Sequence, residues 1–252
     1  MFSAFIGHGP LYRSKKKKNV GKLFTPAVTV ATVLLLAILF CCVFASVIAP
    51  YPPNAQDLTQ VLAKPSAEHL FGCDQNGRDI FSRVLYGGRS ALISALGVVA
   101  ISMILGIPLG LISGYKGGFA DTIIMRCCDV LLSFPSLLLA FILVAGLGRN
   151  TFNAVLALGI VYVPMLTRLT RSLTLVEKNK VYVSACVSLG YSDTRIIYRH
   201  ILPNCISTIL VQITLDIAYA ILDLASLSFL GLGTQPPRPT GAPCWMRAAP
   251  SC

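Results

Sequence analysis

Residues 90–114 read SALISALGVVAISMILGIPLGLISG, a run of 25 positions without a charged side chain. An α-helix rises about 1.5 Å per residue, so about 20 apolar residues cross a hydrocarbon core of about 30 Å. The run is long enough to span a bilayer. Within it Gly106, Gly110 and Gly114 recur at every fourth position, which leaves one helical face without side chains. A second helix can approach that face closely, as in small-xxx-small membrane packing.

Four further apolar stretches flank this one, at residues 25–49, 122–147, 152–173 and 204–232, giving five expected spans. The whole chain agrees with that density. Of its 252 residues 55% are apolar and 12% charged, and the mean hydropathy is +0.72. Soluble domains carry about a quarter charged residues, so a water-soluble globule is excluded and an all-α, polytopic membrane helix bundle is expected.

The net charge of +11 suggests nucleic acid only until the apolar runs are taken into account. Basic loops between spans follow from the positive-inside rule and from anionic lipid, so the expected partner is the bilayer and no nucleic acid. Cys41, Cys42, Cys127, Cys128, Cys186 and Cys205 lie in or beside apolar segments without C-x-x-C spacing and read as small hydrophobes. His8, His69 and His200 are too scattered for a zinc pattern, and no metal site is expected.

The first span follows Lys15–Lys18 and Lys22. Its 25 residues exceed a signal-peptide core, so it reads as an uncleaved anchor with the amino terminus inside. Alternating crossings then place residues 115–121 and 174–203 inside, with 50–89 and 148–151 outside. Fourteen of the 21 Lys and Arg residues fall on the inner side, among them Lys116, Arg126, Arg168, Arg171, Lys178, Lys180, Arg195 and Arg199. Five fall outside, namely Lys64, Arg78, Arg83, Arg89 and Arg149, and the asymmetry supports the orientation.

Pro108, Pro135 and Pro164 each remove a backbone donor inside a span and are expected to kink or loosen it. In the fifth span Gln212, Asp216, Tyr219, Asp223 and Ser226 follow steps of four and three, one helical face. A carboxylate at mid-membrane costs about 2.5–3.5 kcal/mol on insertion scales, so this face is expected to turn from lipid. Interhelical hydrogen bonding and the lining of a solute path both remain open for it.

Between the fourth and fifth spans lie residues 174–203, too long for a simple connector and too polar to cross. Gly190 offers the freedom for a bend, and Ser192 with Asp193 is a start signal for a second short helix. Ile196, Ile197, Ile201 and Leu202 give that helix an apolar side. The expectation is a helix, a turn and a helix at the inner membrane surface, fixed to two spans as a lever.

This loop resembles that of binding-protein-dependent permeases of ATP-binding-cassette importers. Those carry Glu-Ala-Ala, three residues, Gly, and then Leu-Pro twelve and thirteen positions beyond that Gly. Ser184-Ala185-Cys186, Gly190 and Leu202-Pro203 occupy those positions here, with Ser184 replacing the acid and Cys186 the second alanine. Gly77-Arg78-Asp79, Ser82-Arg83, Gly87 and Arg89 resemble the dipeptide, oligopeptide and nickel branch of the family. So do Ser226 to Gly233 with Gln235-Pro236-Pro237.

The resemblance implies a transmembrane permease subunit importing peptides or related small solutes, of dipeptide, oligopeptide, nickel or glutathione type. It implies a bacterial inner membrane location, a second permease subunit, two cytoplasmic ATPase subunits and an extracytoplasmic solute-binding protein. The coupling loop for the ATPases would then comprise Tyr182, Ser184, Ala185, Cys186, Leu189, Gly190, Asp193, Arg195, Ile196, Arg199, Leu202 and Pro203. The chain carries no G-x-x-x-x-G-K-[ST] loop, nucleophile elbow or H-E-x-x-H pair, so it is expected to be no enzyme. It needs no cofactor of its own, and ATP is bound by the partner ATPases. An ion-coupled secondary transporter relaying protons through Asp216 and Asp223 is the alternative class, and a nonfunctional truncated permease remnant a third.

The expected organisation is a basic cytoplasmic segment at 1–24, the first span at 25–49 and an extracytoplasmic segment at 50–89. The permease core follows at 90–239, and residues 240–252 form an aberrant tail. Family members continue past Pro-Pro with Trp-Gly-Ala-Met-Leu and a sixth span, which is missing here. TGG GGC GCC ATG CTG G encodes that pentapeptide. Losing its first base gives GGG GCG CCA TGC TGG, which encodes Gly241-Ala242-Pro243-Cys244-Trp245, so a one-base deletion is the expected origin of the tail.

Overall fold

The computed structural model describes residues 26–232, which are helices and their connections with no strand among the described residues. The expected tail at 240–252, the sixth span and the basic segment at 1–24 lie outside the described residues. The chain divides at residue 41 into two units. In the first, the described part is the greater portion of α1 (Pro26–Val43), whose Val30, Val33, Leu34, Leu35, Leu36 and Ile38 are all exposed. A helix apolar all round is one that lipid surrounds.

The second unit opens with the short α2 (Ala45–Ile48) and an irregular segment that leads to α3 (Ile80–Lys116). Then come α4 (Gly118–Leu132), α5 (Ser136–Leu147), α6 (Thr151–Lys178), α7 (Val181–Ser188), α8 (Asp193–Ile196) and α9 (Leu202–Phe229). Among the described residues four helices are long and apolar enough to cross a membrane by themselves, and α4 with α5 form one further bent pair.

Residues 50–79 fold as a polar cap on the amino-terminal end of α3. Asp79 caps that helix by accepting from the Ser82 amide at 2.7 Å, and its other oxygen meets His69 Nδ1 at 3.0 Å. Asp74 accepts from the Asn76 and Arg78 amides at 2.8 and 3.0 Å, and Arg83 donates to the Pro53 carbonyl at 3.0 Å. Gly77 is required for close approach: at φ +68° an added Cβ would lie 1.9 Å from the Asp57 carbonyl oxygen. This pinned turn lets α3 begin ten residues before the apolar run, at Ile80 rather than near residue 90.

The seam between α3 and α6 is the centre of the unit. Gly106, Gly110 and Gly114 sit against Leu166, Thr170 and Thr174, while Gly159 of α6 receives Ile101 and Gly97 faces Val155. Residue numbers rise together along both helices, so they run parallel. Thr167 and Thr174 are buried and turn their hydroxyls onto the Val163 and Thr170 carbonyls, at 2.8 and 2.7 Å. Parallel neighbours demand that the chain between them return to the end where α3 began, and α4 with α5 make that return.

They make it over the stretch expected at 122–147, but as a sharply bent pair rather than one continuous helix. The two helices are bent by 89° at Ser133-Phe134-Pro135. Pro135 has no N–H, disfavours helical backbone at Phe134 and is itself extended, with ψ 130°. Pro108 and Pro164, by contrast, remain inside the continuous α3 and α6.

Polar bonds hold α4 to the seam. Arg171 of α6 forks onto Asp121 at 2.5 and 2.6 Å, the Ser113 hydroxyl of α3 donates to the same carboxylate at 2.5 Å, and Arg168 pairs with Asp129. The fork matches the carboxylate plane and fixes orientation as well as charge.

Candidate functional site

After Lys178 the chain turns through Asn179 and Lys180 into α7, which buries Val183 and Cys186 and exposes Val181, Ser184, Ala185, Val187 and Leu189. Two anchors three residues apart occupy one face of a two-turn helix, so the other face is free. Leu189 is 70% exposed and Val181 85%, an apolar surface that water alone does not favour.

Gly190 closes α7. Its amide donates to the Val187 carbonyl at 2.9 Å, and that of Tyr191 to the Cys186 carbonyl at 3.1 Å, the paired bonds of a Schellman turn. This turn needs a left-handed residue, and Gly190 has φ +76°. Nothing lies within 4 Å of a Cβ built there, so the requirement is one of backbone conformation alone.

Ser192 precedes α8 in extended conformation as expected, but its side chain makes no cap bond. Asp193 instead accepts from the Tyr115 hydroxyl at 3.1 Å, which ties the turn to the end of α3. Arg195 lies over the Tyr191 ring at 4.5 Å, and that ring stacks with His200 at 5.9 Å. Ile196, Ile197 and Ile201 are buried and Leu202 partly so, the apolar side read from the sequence.

The second helix of the expected pair is not separate from the fifth span. α8 passes through a π turn at Ile197–Ile201 straight into α9, where Pro203 occupies the first turn. Pro203 cannot donate to the Arg199 carbonyl and its ring crowds it; the wider turn relieves that conflict without ending the helix. Arg199 and Pro203 are both exposed on this continuous rod.

Sequence reading missed two residues that hold α7 in place. The Tyr182 hydroxyl donates to Glu177 Oε2 at 2.8 Å and accepts from Asn204 Nδ2 at 3.2 Å. Glu177 is also paired with Lys180, and Asn204 donates to the His200 carbonyl at 2.8 Å. Glu177 lies beyond the apolar part of α6; the Lys180 ammonium first and the Tyr182 hydroxyl next hold its carboxyl below the usual carboxylate range. Burial, then the Glu177 bond, pushes the Tyr182 phenol up to about 12, so it stays a donor at neutral pH. An acid near the start of the predicted loop, at 177, and an amide just beyond its end, at 204, were the only available signal.

On α9, Gln212 donates to Asp216 at 2.8 Å, and Tyr162 of α6 donates to Asp223 at 2.8 Å. Asp216 is 5% exposed, while Tyr219 is 60% exposed, so the five-residue stripe is not uniformly enclosed. Ser226 turns onto the Leu222 carbonyl at 2.9 Å. Neither aspartate has an ion-pair partner among the described residues.

Parallel spans sealed by glycine, a bent return pair and an exposed, glycine-closed helix between two spans define a polytopic membrane protein. Residues 106–242 match the family described as binding-protein-dependent transport system inner membrane component. Residues 26–65 match the N-terminal TM domain of oligopeptide transport permease C. The chain belongs to this family of inner membrane transport components, and is a multi-pass permease rather than an enzyme.

Among its relatives, the probable D,D-dipeptide transport system permease of Escherichia coli is 45% identical over 213 residues, 84% of this chain and 72% of that one. The glutathione transport system permease of Pectobacterium atrosepticum is 45% identical over 207 residues, covering 82% and 68%. The dipeptide transport system permease of Haemophilus influenzae is 39% identical over 229 residues, covering 88% and 76%.

Proposed function

We propose that this chain is one of two permease subunits of an ATP-driven importer for peptides or related small solutes, and that α7 is the element its ATPases grip. The observation that carries the reading is the geometry of α7: a free apolar face, two buried anchors, and a glycine-closed turn that leads into a span. The names of the relatives, which transport dipeptides, D,D-dipeptides and glutathione, support the substrate class.

The orientation follows from the charge asymmetry, with the amino terminus and α7 in the cytoplasm. Parallel packing of α3 and α6 agrees with two crossings in the same direction. A solute-binding protein delivers cargo on the outer side, where the cap at residues 50–79 stands. Two cytoplasmic ATPases bind the ATP that drives the cycle. Their closure displaces α7, and the spans beside it move between outward-open and inward-open arrangements.

The face of α9 carrying Gln212, Asp216, Tyr219, Asp223 and Ser226 lines the path. Its carboxylates are held by neutral donors, Gln212 and Tyr162, rather than by a fixed cation. A cationic group on a solute can therefore approach them without displacing an ion pair.

Uptake of radiolabelled dialanine by proteoliposomes holding the full complex tests the function. Uptake should require ATP inside and survive collapse of the proton gradient. Uptake lost with the gradient while ATP remains would instead assign a proton-coupled carrier.

A further inference from the structure

We infer that Tyr182 is the pivot that carries displacement of α7 into α6 and α9 together, with Glu177 and Asn204 as its positioning residues. This rests on the reading of α7 as the ATPase-docking helix.

Most of what holds α7 is non-directional. Val183 and Cys186 are packed into the apolar cluster, and such contacts resist separation more than they resist sliding. At its far end the helix is closed by Gly190, whose Cβ position is open, and the turn beyond it is tied to α3 through the Tyr115–Asp193 bond. The near end differs. Its phenol is saturated, donating to Glu177 at the end of α6 and accepting from Asn204 at the start of α9.

Both partners are themselves fixed. The second carboxylate oxygen of Glu177 takes Lys180, and Asn204 uses its amide on both the phenol and the His200 carbonyl. Glu177 is 9% exposed, so the charged bond is partly shielded from water and gains strength. Asn204 lies in the first turn of α9, three residues beyond the π turn and next to Pro203, which has no backbone donor; its side-chain bond reaches back to His200 within that turn. A phenol with a rigid ring, joined to two spans at one atom, transmits direction as a packed aliphatic contact does not. α7 is thus tied at its near end to α6 and α9 together, while the turn at its far end is tied to α3.

The test uses the full chain in nanodiscs, assembled with its second permease and ATPase subunits. ATP with vanadate traps the closed motor, and amide exchange is followed along the chain. In the unmodified complex, trapping should change exchange in α7 and in residues 204–212. Tyr182→Phe keeps the ring and removes one oxygen. It should leave the α7 change intact and reduce the change at 204–212 by about fivefold or more, the scale of a typical coupling energy.

Glu177→Gln, which keeps an acceptor, should retain most of the response. Glu177→Ala should match Tyr182→Phe, and the double variant should be no worse than either single one, as expected for one shared bond. A full response at 204–212 in Tyr182→Phe, or additive losses in the double variant, overturns the pivot. If α7 of the unmodified complex shows no change on trapping, the docking reading fails and the pivot with it. A protected α7 with an unaltered response in Tyr182→Phe sinks the pivot alone.

Discussion

Replacing Gly110 with alanine is expected to destabilise the folded bundle by about 2 kcal/mol, and replacing it with leucine to prevent its assembly. A Cβ at Gly110 would lie 2.6 Å from both the Thr167 carbonyl oxygen and Thr170 Cβ. Neither neighbour is the loose end of a flexible chain, so α3 and α6 must move apart along their length. Separation also withdraws Ser113 and Arg171 from Asp121, the bonds that hold α4. Gly146 on α5 is the control: a Cβ there meets nothing within 4 Å. Gly146→Ala should be neutral or gain up to about 1 kcal/mol from helix propensity. Thermal unfolding in detergent, followed by the loss of the monodisperse peak, reads both. Equal midpoints for the two variants would contradict the seam.

Gly190→Val has the second large effect, and its character is different. The left-handed conformation costs a β-branched residue on the order of 1–2 kcal/mol or more, while the space around the Cβ is open. The bundle should therefore persist with a displaced α7, and the loss should appear in function. ATP hydrolysis by the reconstituted complex should continue while dialanine uptake falls by about tenfold or more. Gly190→Asn, which tolerates the same backbone region, should stay within about threefold of the parent. Similar uptake from Gly190→Val and the parent would show that the turn does not set the position of α7.

The spans were legible because length and apolarity are one-dimensional properties, and lipid imposes them on each segment separately. The glycine face at 106, 110 and 114 was legible for a related reason: a fourfold recurrence has only one geometric meaning on a helix. What it could not state was the partner. Leu166, Thr170 and Thr174 lie some sixty positions away, and nothing local in them advertises a seam.

Three boundaries were misread, each where a local signal met a tertiary one. Pro135 was read as a kink and is the site of an 89° break, because Ser133 and Phe134 are exposed and nothing packs the turn straight. Pro203 was placed in the loop, just ahead of the fifth span. It lies in the first turn of α9, since the buried Ile196, Ile197 and Ile201 hold the preceding π turn in line. α3 begins early because the cap at residues 50–79 supplies Asp79 as a fixed start.

In the candidate site Gly190 was legible, being the one residue type suited to its turn. Glu177 and Asn204 were not. Their partner is Tyr182, 5 and 22 positions away, and no periodicity links an acid, a phenol and an amide across two helix ends.

Site-directed crosslinking from the exposed face of α7 reads the grip of the motor on the permease. Leu189→Cys, made with the exposed Cys127 replaced by alanine, should form an adduct with an ATPase subunit whose yield changes when ATP is trapped with vanadate. Phe71→Cys, also exposed but on the cap at residues 50–79, should form none. An ATPase adduct from Phe71→Cys, or none from Leu189→Cys at any stage of the ATP cycle, would contradict the assignment of α7.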